Sequence, residues 1–379
     1  MKRSVKLLGT GAVLGLALFP TALVGPAAAA HVGCGDVIME DTILDSDIGP
    51  CTGTGLVIGA DGVTLTMNGH RVFGTAEPGE GAGILVEDRQ NVHIRNGTVQ
   101  FFDAGVALLG GGGHRVNNMN VLDNVGSGAT DFGDGIAVSD SADNVIQLNT
   151  VRGNGIYSGI GLFGAGSTGN LIHANLVEGN DILSSPTGPQ QDDGIRLEPG
   201  TSFNVVTENR VYENGLDGIA IFAGSNDNVV RHNDIRRNGA HGQAHRQGDG
   251  IAVFNRATRN LIAQNQIFDN GANGIFLRGP LTFGTTTIPG ATNNEVLRNR
   301  TGNNGPIPGP GGPRFDLRDN NPDCDANTWF RNTYLTAFPA CTTLGGGGPV
   351  VPAAASTAAS VAATSAEVEV GSTSTRPTE

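Results

Sequence analysis

Asp134, Asp192, Asp193, Arg196, His241, His245 and Asp249 are of the types that catalysis uses, and they cluster around three segments of a 379-residue chain. Paired carboxylates, one neutral and one ionised, cleave glycosidic bonds by general acid and general base action. A histidine or arginine base next to a neutralised carboxylate would instead drive elimination from an acidic sugar. Phe163, Glu198, Phe222, Phe254 and Arg278 form a second set. Aromatic and charged side chains of this kind hold sugars by ring stacking and hydrogen bonds. Asp134, Asp193, Asp217 and Asp249 share one context, immediately before a glycine, which also suits plain turn formation. Stacked in one file they would lie ~5 Å apart. Their repulsion would then need backbone amides or a cation to relieve it, and calcium is the only cofactor this pattern suggests. No ligand set for a transition metal is spaced for binding.

What must position these residues is a repeat. The unit reads Gly-Ile-x-Val/Leu, then about ten residues, then three asparagines at five-residue steps. Its glycine column is Gly83, Gly105, Gly135, Gly159, Gly194, Gly218, Gly250 and Gly274. The asparagines run Asn144/Asn149/Asn154, Asn170/Asn175/Asn180, Asn204/Asn209/Asn214, Asn228/Asn233/Asn238, Asn260/Asn265/Asn270 and Asn294/Asn299/Asn304. A five-residue step fits a very short strand and a corner. Asparagine and glycine both tolerate left-handed dihedrals and suit corners. Three such faces close one coil of about 22–24 residues, with the next coil parallel to it at ~4.8 Å. The sequence therefore predicts an all-β parallel β-helix solenoid of about ten coils. Ile136, Ile160, Ile195, Ile219, Ile251 and Ile275 should form one inner column, and Val151, Val177, Val211, Ile235 and Ile267 another. Asn175, Asn209 and Asn233 should lie in one vertical file.

Intervals between the glycines alternate between short and long, which places insertions at one corner of alternate coils: residues 125–134, 181–193 and 239–249. A fourth, 280–292, belongs to another edge. The three share a side, as binding insertions of solenoids do. Asp134 and Asp193 would be two coils, ~10 Å, apart, near the upper end of an inverting glycosidase's carboxylate separation.

Composition agrees. Glycine is 59 of 379 residues and charged residues are 16%, which excludes coiled coils and helical bundles. A formal net charge of −13 offers no electrostatic footprint for nucleic acid. Lys2, Arg3 and Lys6 precede a mostly apolar stretch ending in Ala27–Ala30, the form of a secretory signal covering residues 1–30. No later segment is apolar and long enough to span a membrane. Both lysines of the chain lie in this leader, so lysine chemistry is excluded downstream. Of the three possible pairings of four cysteines, Cys34–Cys51 and Cys324–Cys341 are favoured, since each pair flanks one end of the repeat. These pairs would close the two lids, the second with Trp329, Phe330 and Phe338 as hydrophobic cover. The β-helix domain is expected over 31–343. A Gly-rich, then Ala/Ser/Thr-rich, disordered tail is expected over 344–379.

The asparagine repeat and the Asp-Gly-Ile triplets resemble secreted bacterial right-handed parallel β-helix proteins of the NosD-like, pectin-lyase-like class. The resemblance covers about 34–343 and implies a right-handed coil. It does not choose a chemistry, because that class holds lyases, hydrolases, epimerases and adhesins. Gln191-Asp192-Asp193-Gly194-Ile195 resembles the paired-Asp segment of polygalacturonase-type hydrolases, whose Gly-His-Gly and Arg-Ile-Lys elements are missing. The expectation is a secreted, monomeric, carbohydrate-interacting protein whose partner is a polysaccharide, as a lyase or glycoside hydrolase working in a groove under the three insertions. The alternative is a non-enzymatic surface or adhesive scaffold.

Overall fold

The five-residue step of the asparagine repeat becomes one three-residue strand and one corner. In the computed structural model, residues 29–76, 81–126, 133–180, 193–239, 248–305 and 313–347 are described. Val145–Gln147 and Thr150–Arg152 are two strands of one winding; Leu171–His173 and Leu176–Glu178 are their successors. Among the described residues these strands build a 20-stranded sheet, largely two strands per winding. The Gly-Ile-x-Val segments build a 12-stranded sheet with one strand per winding. Every pairing within both sheets is parallel, and successive windings continue the same right-handed β-helix. Twelve strands run slightly beyond the ten coils expected.

Both predicted columns are present. Ile136, Ile160, Ile195, Ile219, Ile251 and Ile275 align in register, as do Val151, Val177, Val211, Ile235 and Ile267. All are fully buried. A β-branched side chain that meets its own kind at every winding packs without voids, which suits both its strand preference and close packing.

The asparagines form buried ladders. Asn175 Nδ2 donates to Asn209 Oδ1 at 3.0 Å, and Asn209 Nδ2 donates to Asn233 Oδ1 at 3.0 Å. The backbone N–H groups of Asn175 and Asn209 donate to the same two oxygens at 2.9 Å. Asn209 Nδ2 also reaches the Ile172 carbonyl at 2.9 Å. Each side chain thus satisfies backbone groups at a corner, where the sheet's own bonding lapses.

Two expectations about corners are corrected. The ladder asparagines are not the left-handed residues; the residue before each one is, as with Leu148 (φ 56°), Glu208 (φ 58°) and His232 (φ 56°). The asparagine must point inward, so its neighbour takes the turn. Nor are the column glycines left-handed. They are needed for space: a Cβ on Gly194 would meet Val211 Cγ1 at 2.5 Å and the Gly218 carbonyl at 2.6 Å.

At the ends, Cys34–Cys51 and Cys324–Cys341 are bonded, with Cα–Cα separations of 5.5 and 6.0 Å. Trp329 ends a third inner column, which runs Ile146, Ile172, Val206, Val230, Ile262 and Val296, and its Nε1 donates to Asp319 Oδ2 at 3.0 Å. Phe330 and Phe338 do not cover the core as expected, being 39% and 51% exposed. Phe330 follows Trp329 in the strand and so faces out. Phe338 aligns with Arg318 on the outer face.

Candidate functional site on the outer face of the single-strand sheet

Asp134, Ser158, Asp193, Asp217 and Asp249 occupy one slot in successive windings, at the corner where the coil enters the 12-stranded sheet. The insertions at 125–134, 181–193 and 239–249 therefore rejoin the coil at a common position. Their interiors lie outside the described residues, and Asp192, His241 and His245 with them. The fourth insertion carries an exposed antiparallel hairpin, Leu281–Phe283 with Thr286–Ile288, beyond the opposite end of the strand Ile275–Leu277.

The aspartates are buried, and amides supply much of what neutralises them. Asp193 Oδ1 accepts the Asp217 N–H at 3.0 Å, Asp217 Oδ1 accepts the Asp249 N–H at 2.6 Å, and Asp249 Oδ1 accepts the Asn273 N–H at 2.8 Å. This file has the opposite polarity to the asparagine ladders. There a winding donates to the side chain of the next; here it donates to the side chain of the one before. The aspartates are thus ladder residues rather than turn formers.

Burial raises every carboxyl in the file. Asp134 is pushed up to about 7, with its bond from Ser158 Oγ and the Arg196 charge opposing. Asp193 rises for the same first reason, moderated mainly by Arg196. Asp217 lies well above the usual range, because burial is compounded by Asp249 and Asp193 on either side. Asp249 is raised by burial and eased by Arg278. Among the described residues no three His, Cys, Asp or Glu side chains converge to hold a metal ion.

Outward from this file runs the polar and aromatic strip. Arg196 is 4% exposed; its Nη1 meets Asp193 Oδ2 at 3.2 Å and its Nε meets Glu198 Oε1 at 2.5 Å. Its guanidinium lies 4.0 Å from the Phe222 ring centre. Phe222 stacks on Phe254 at 4.3 Å and 11°, and Arg278 lies 4.6 Å from the Phe254 centre. Small residues beneath make room for large ones: Ala220 and Ala252 are fully buried, and a Cβ on Gly161 would meet the Phe163 ring at 2.7 Å. The faces of Phe222 and Phe254 are thus largely given to each other and to two guanidiniums. They present edges to a ligand rather than open faces, which corrects the expectation of free stacking platforms.

Asp134, Asp193, Arg196, Glu198, Phe163, Phe222, Phe254, Asp249 and Arg278 are therefore one connected cluster, whose aspartates and Arg196 are buried beneath the outer face. Asp193 has both oxygens engaged. Asp134 differs: its Oδ2 is buried with no hydrogen-bond partner among the described residues. Arg318 and Phe276 extend the strip. The sequence signal for Arg318 is faint, since Phe315-Asp316-Leu317-Arg318 repeats the register of Asp193-Gly194-Ile195-Arg196 without its Asp-Gly pair.

With this geometry in hand the class is defined. The chain belongs to the right-handed β-helix family, whose "Right handed beta helix region" model matches residues 38–188, 82–257 and 175–334. The solved structures it resembles include the Dettilon tailspike protein, at 18% identity over 78% of this chain and 55% of that one, with a TM-score of 0.57. They also include the periplasmic alginate epimerase AlgG, at 14% identity over 80% of this chain and 76% of that one, with a TM-score of 0.53. The chain spans about half the length of the tailspike, and at these identities the likeness is one of fold. No curated protein matches the sequence.

Proposed function

We propose that this is an exported carbohydrate-interacting β-helix protein whose polysaccharide ligand lies along the outer face of the single-strand sheet. The observation that carries this reading is the in-register strip from Glu198 and Arg196 through Phe222 and Phe254 to Arg278. Consecutive windings rise ~4.8 Å, about the advance of one sugar residue in an extended chain, so one polar or aromatic group faces each sugar. The two disulfides fit export. A tailspike protein and an alginate epimerase among the structures of similar fold are consistent with it.

One observation favours chemistry over simple binding. Asp134 holds its proton into the neutral range and keeps one oxygen unengaged, two properties of a general acid, and its carboxyl lies buried beneath the strip. Native gels cast with neutral and acidic polysaccharides, with and without calcium, test the binding. We expect at least one polymer to retard the mature protein, and Phe222→Ala/Phe254→Ala to abolish the shift. No retardation by any polymer overturns the reading. Reducing ends and unsaturated-uronate absorbance, followed in parallel, report turnover, which Asp134→Asn would remove while leaving retardation intact.

A further inference from the structure

At the C-terminal end of the strip the charge balance changes. Arg196 is matched by Asp193 and Glu198. Three windings further, Arg278 has among the described residues only Asp249 Oδ2 as a charged partner, at 3.9 Å from its Nη2. Asp249 is itself committed to Asn273 through its other oxygen, and the Arg278 Nε is buried without a hydrogen-bond partner. Arg318, in the following winding, spends its Nε on Asn320 Oδ1 at 3.0 Å and its Nη1 on the Pro313 carbonyl at 3.2 Å. Neither partner is charged. Both guanidiniums lie over one ring, 4.8 and 4.9 Å from the centre of Phe276. Burial first, and then Arg314 and Arg278, hold Arg318 below the usual arginine range.

From this geometry we infer that Arg278 and Arg318 form a subsite for a compact oxyanion carried on a sugar. Two guanidiniums fixed on one ring, with a single distant carboxylate between them, are a preformed receptor. Their planar forks match a carboxylate or sulfate. The charge would be taken at this end only, so the strip would bind a charged glycan in one direction. The inference rests on the carbohydrate reading above for its ligand, but its test does not.

The test is calorimetric titration of the mature protein with sodium galacturonate, sodium sulfate and galactose at constant ionic strength. Saturable binding of galacturonate or sulfate, with none for galactose, is expected. The affinity should fall at least tenfold in Arg318→Gln and in Arg278→Gln. Arg318→Lys keeps the charge but not the fork, and should lie between. Tighter binding of galacturonate assigns a uronate-type ligand, and tighter binding of sulfate a sulfated one. No saturation by either anion, or equal affinity in folded Arg318→Gln, overturns the subsite. A protein that is retarded by neutral polysaccharides yet binds neither anion keeps the carbohydrate reading and loses the subsite. One that binds the anions and no polysaccharide does the reverse.

Discussion

Asp134 keeps its proton into the neutral range because its slot is closed to water, and this makes it a stability element as well as a candidate acid. Its carboxyl titrates near 3.8 when exposed and near 7 when folded. The folded state therefore binds more protons between those values, so this contribution is complete below about pH 4 and is lost as pH rises to about 7. Asp134→Asn should remove the loss. The variant should match the parent at pH 4 and exceed it at pH 8, by at most ~4 kcal/mol on the full separation of the two pKa values. Urea melts at both pH values measure it; equal midpoints at pH 8 would show that Asp134 is ionised without cost. His114 has the opposite sign. It occupies the slot ahead of Asn144, its Nδ1 accepts the Val92 N–H at 3.2 Å, and burial lowers it to about 4. Its contribution is present above about pH 6.5 and is lost as pH falls through 4. His114→Asn keeps an acceptor for Val92 and extends the ladder by one rung. It should flatten the acid limb of the stability profile between pH 6.5 and 4, where the parent declines relative to the variant.

At the scale of the element, what the column glycines supply is room rather than dihedral freedom. A Cβ on Gly218 would sit 2.5 Å from Ile235 Cγ2 and 2.7 Å from the Gly250 carbonyl. Gly218→Ala should therefore cost about 1–3 kcal/mol by overpacking, although alanine is otherwise the easier residue to order. Thermal unfolding reads this, and an unchanged Tm would mean that the windings can separate there. The same element shows how far the sequence could be read. Strand positions, both inner columns and the three asparagine files follow from spacing alone, because a repeat states its register at every turn. The roles at the corners do not. Five-residue spacing cannot say whether Asn209 or Glu208 takes the left-handed turn, since that depends on which side chain must reach the winding below. For the site, spacing placed Asp134, Asp193 and Asp249 in one slot and Phe222 beside Phe254. It could not show that those rings stack on each other, or that Arg318 joins them, because side-chain directions across windings are set by packing. Asp192, His241 and His245 fall where the repeat is interrupted, and periodicity carries no information there.

For the whole molecule, a solenoid's stability is a chain of nearest-neighbour interfaces, so the position of a defect along the axis matters as much as its chemistry. Asn209 lies mid-ladder: its Oδ1 accepts the Asn175 N–H and Nδ2, and its own Nδ2 donates to Ile172 and Asn233. Truncation to alanine strands buried partners in the windings on both sides, at about 1–3 kcal/mol for each donor or acceptor left unsatisfied. Asn332 is the last rung of the same file, with Asn299 before it and no further asparagine following in register. Asn332→Ala removes bonds from one side only, beside the Cys324–Cys341 lid. The expected outcome is therefore positional. Asn332→Ala should shift a single unfolding transition modestly. Asn209→Ala should lower stability more, by about 3 kcal/mol or greater, and should broaden the urea transition as the two halves of the stack lose their coupling. Equal midpoints and equal slopes for the two variants would mean that the windings unfold as one indivisible unit, with the ladders as ornament rather than as the joint between neighbours.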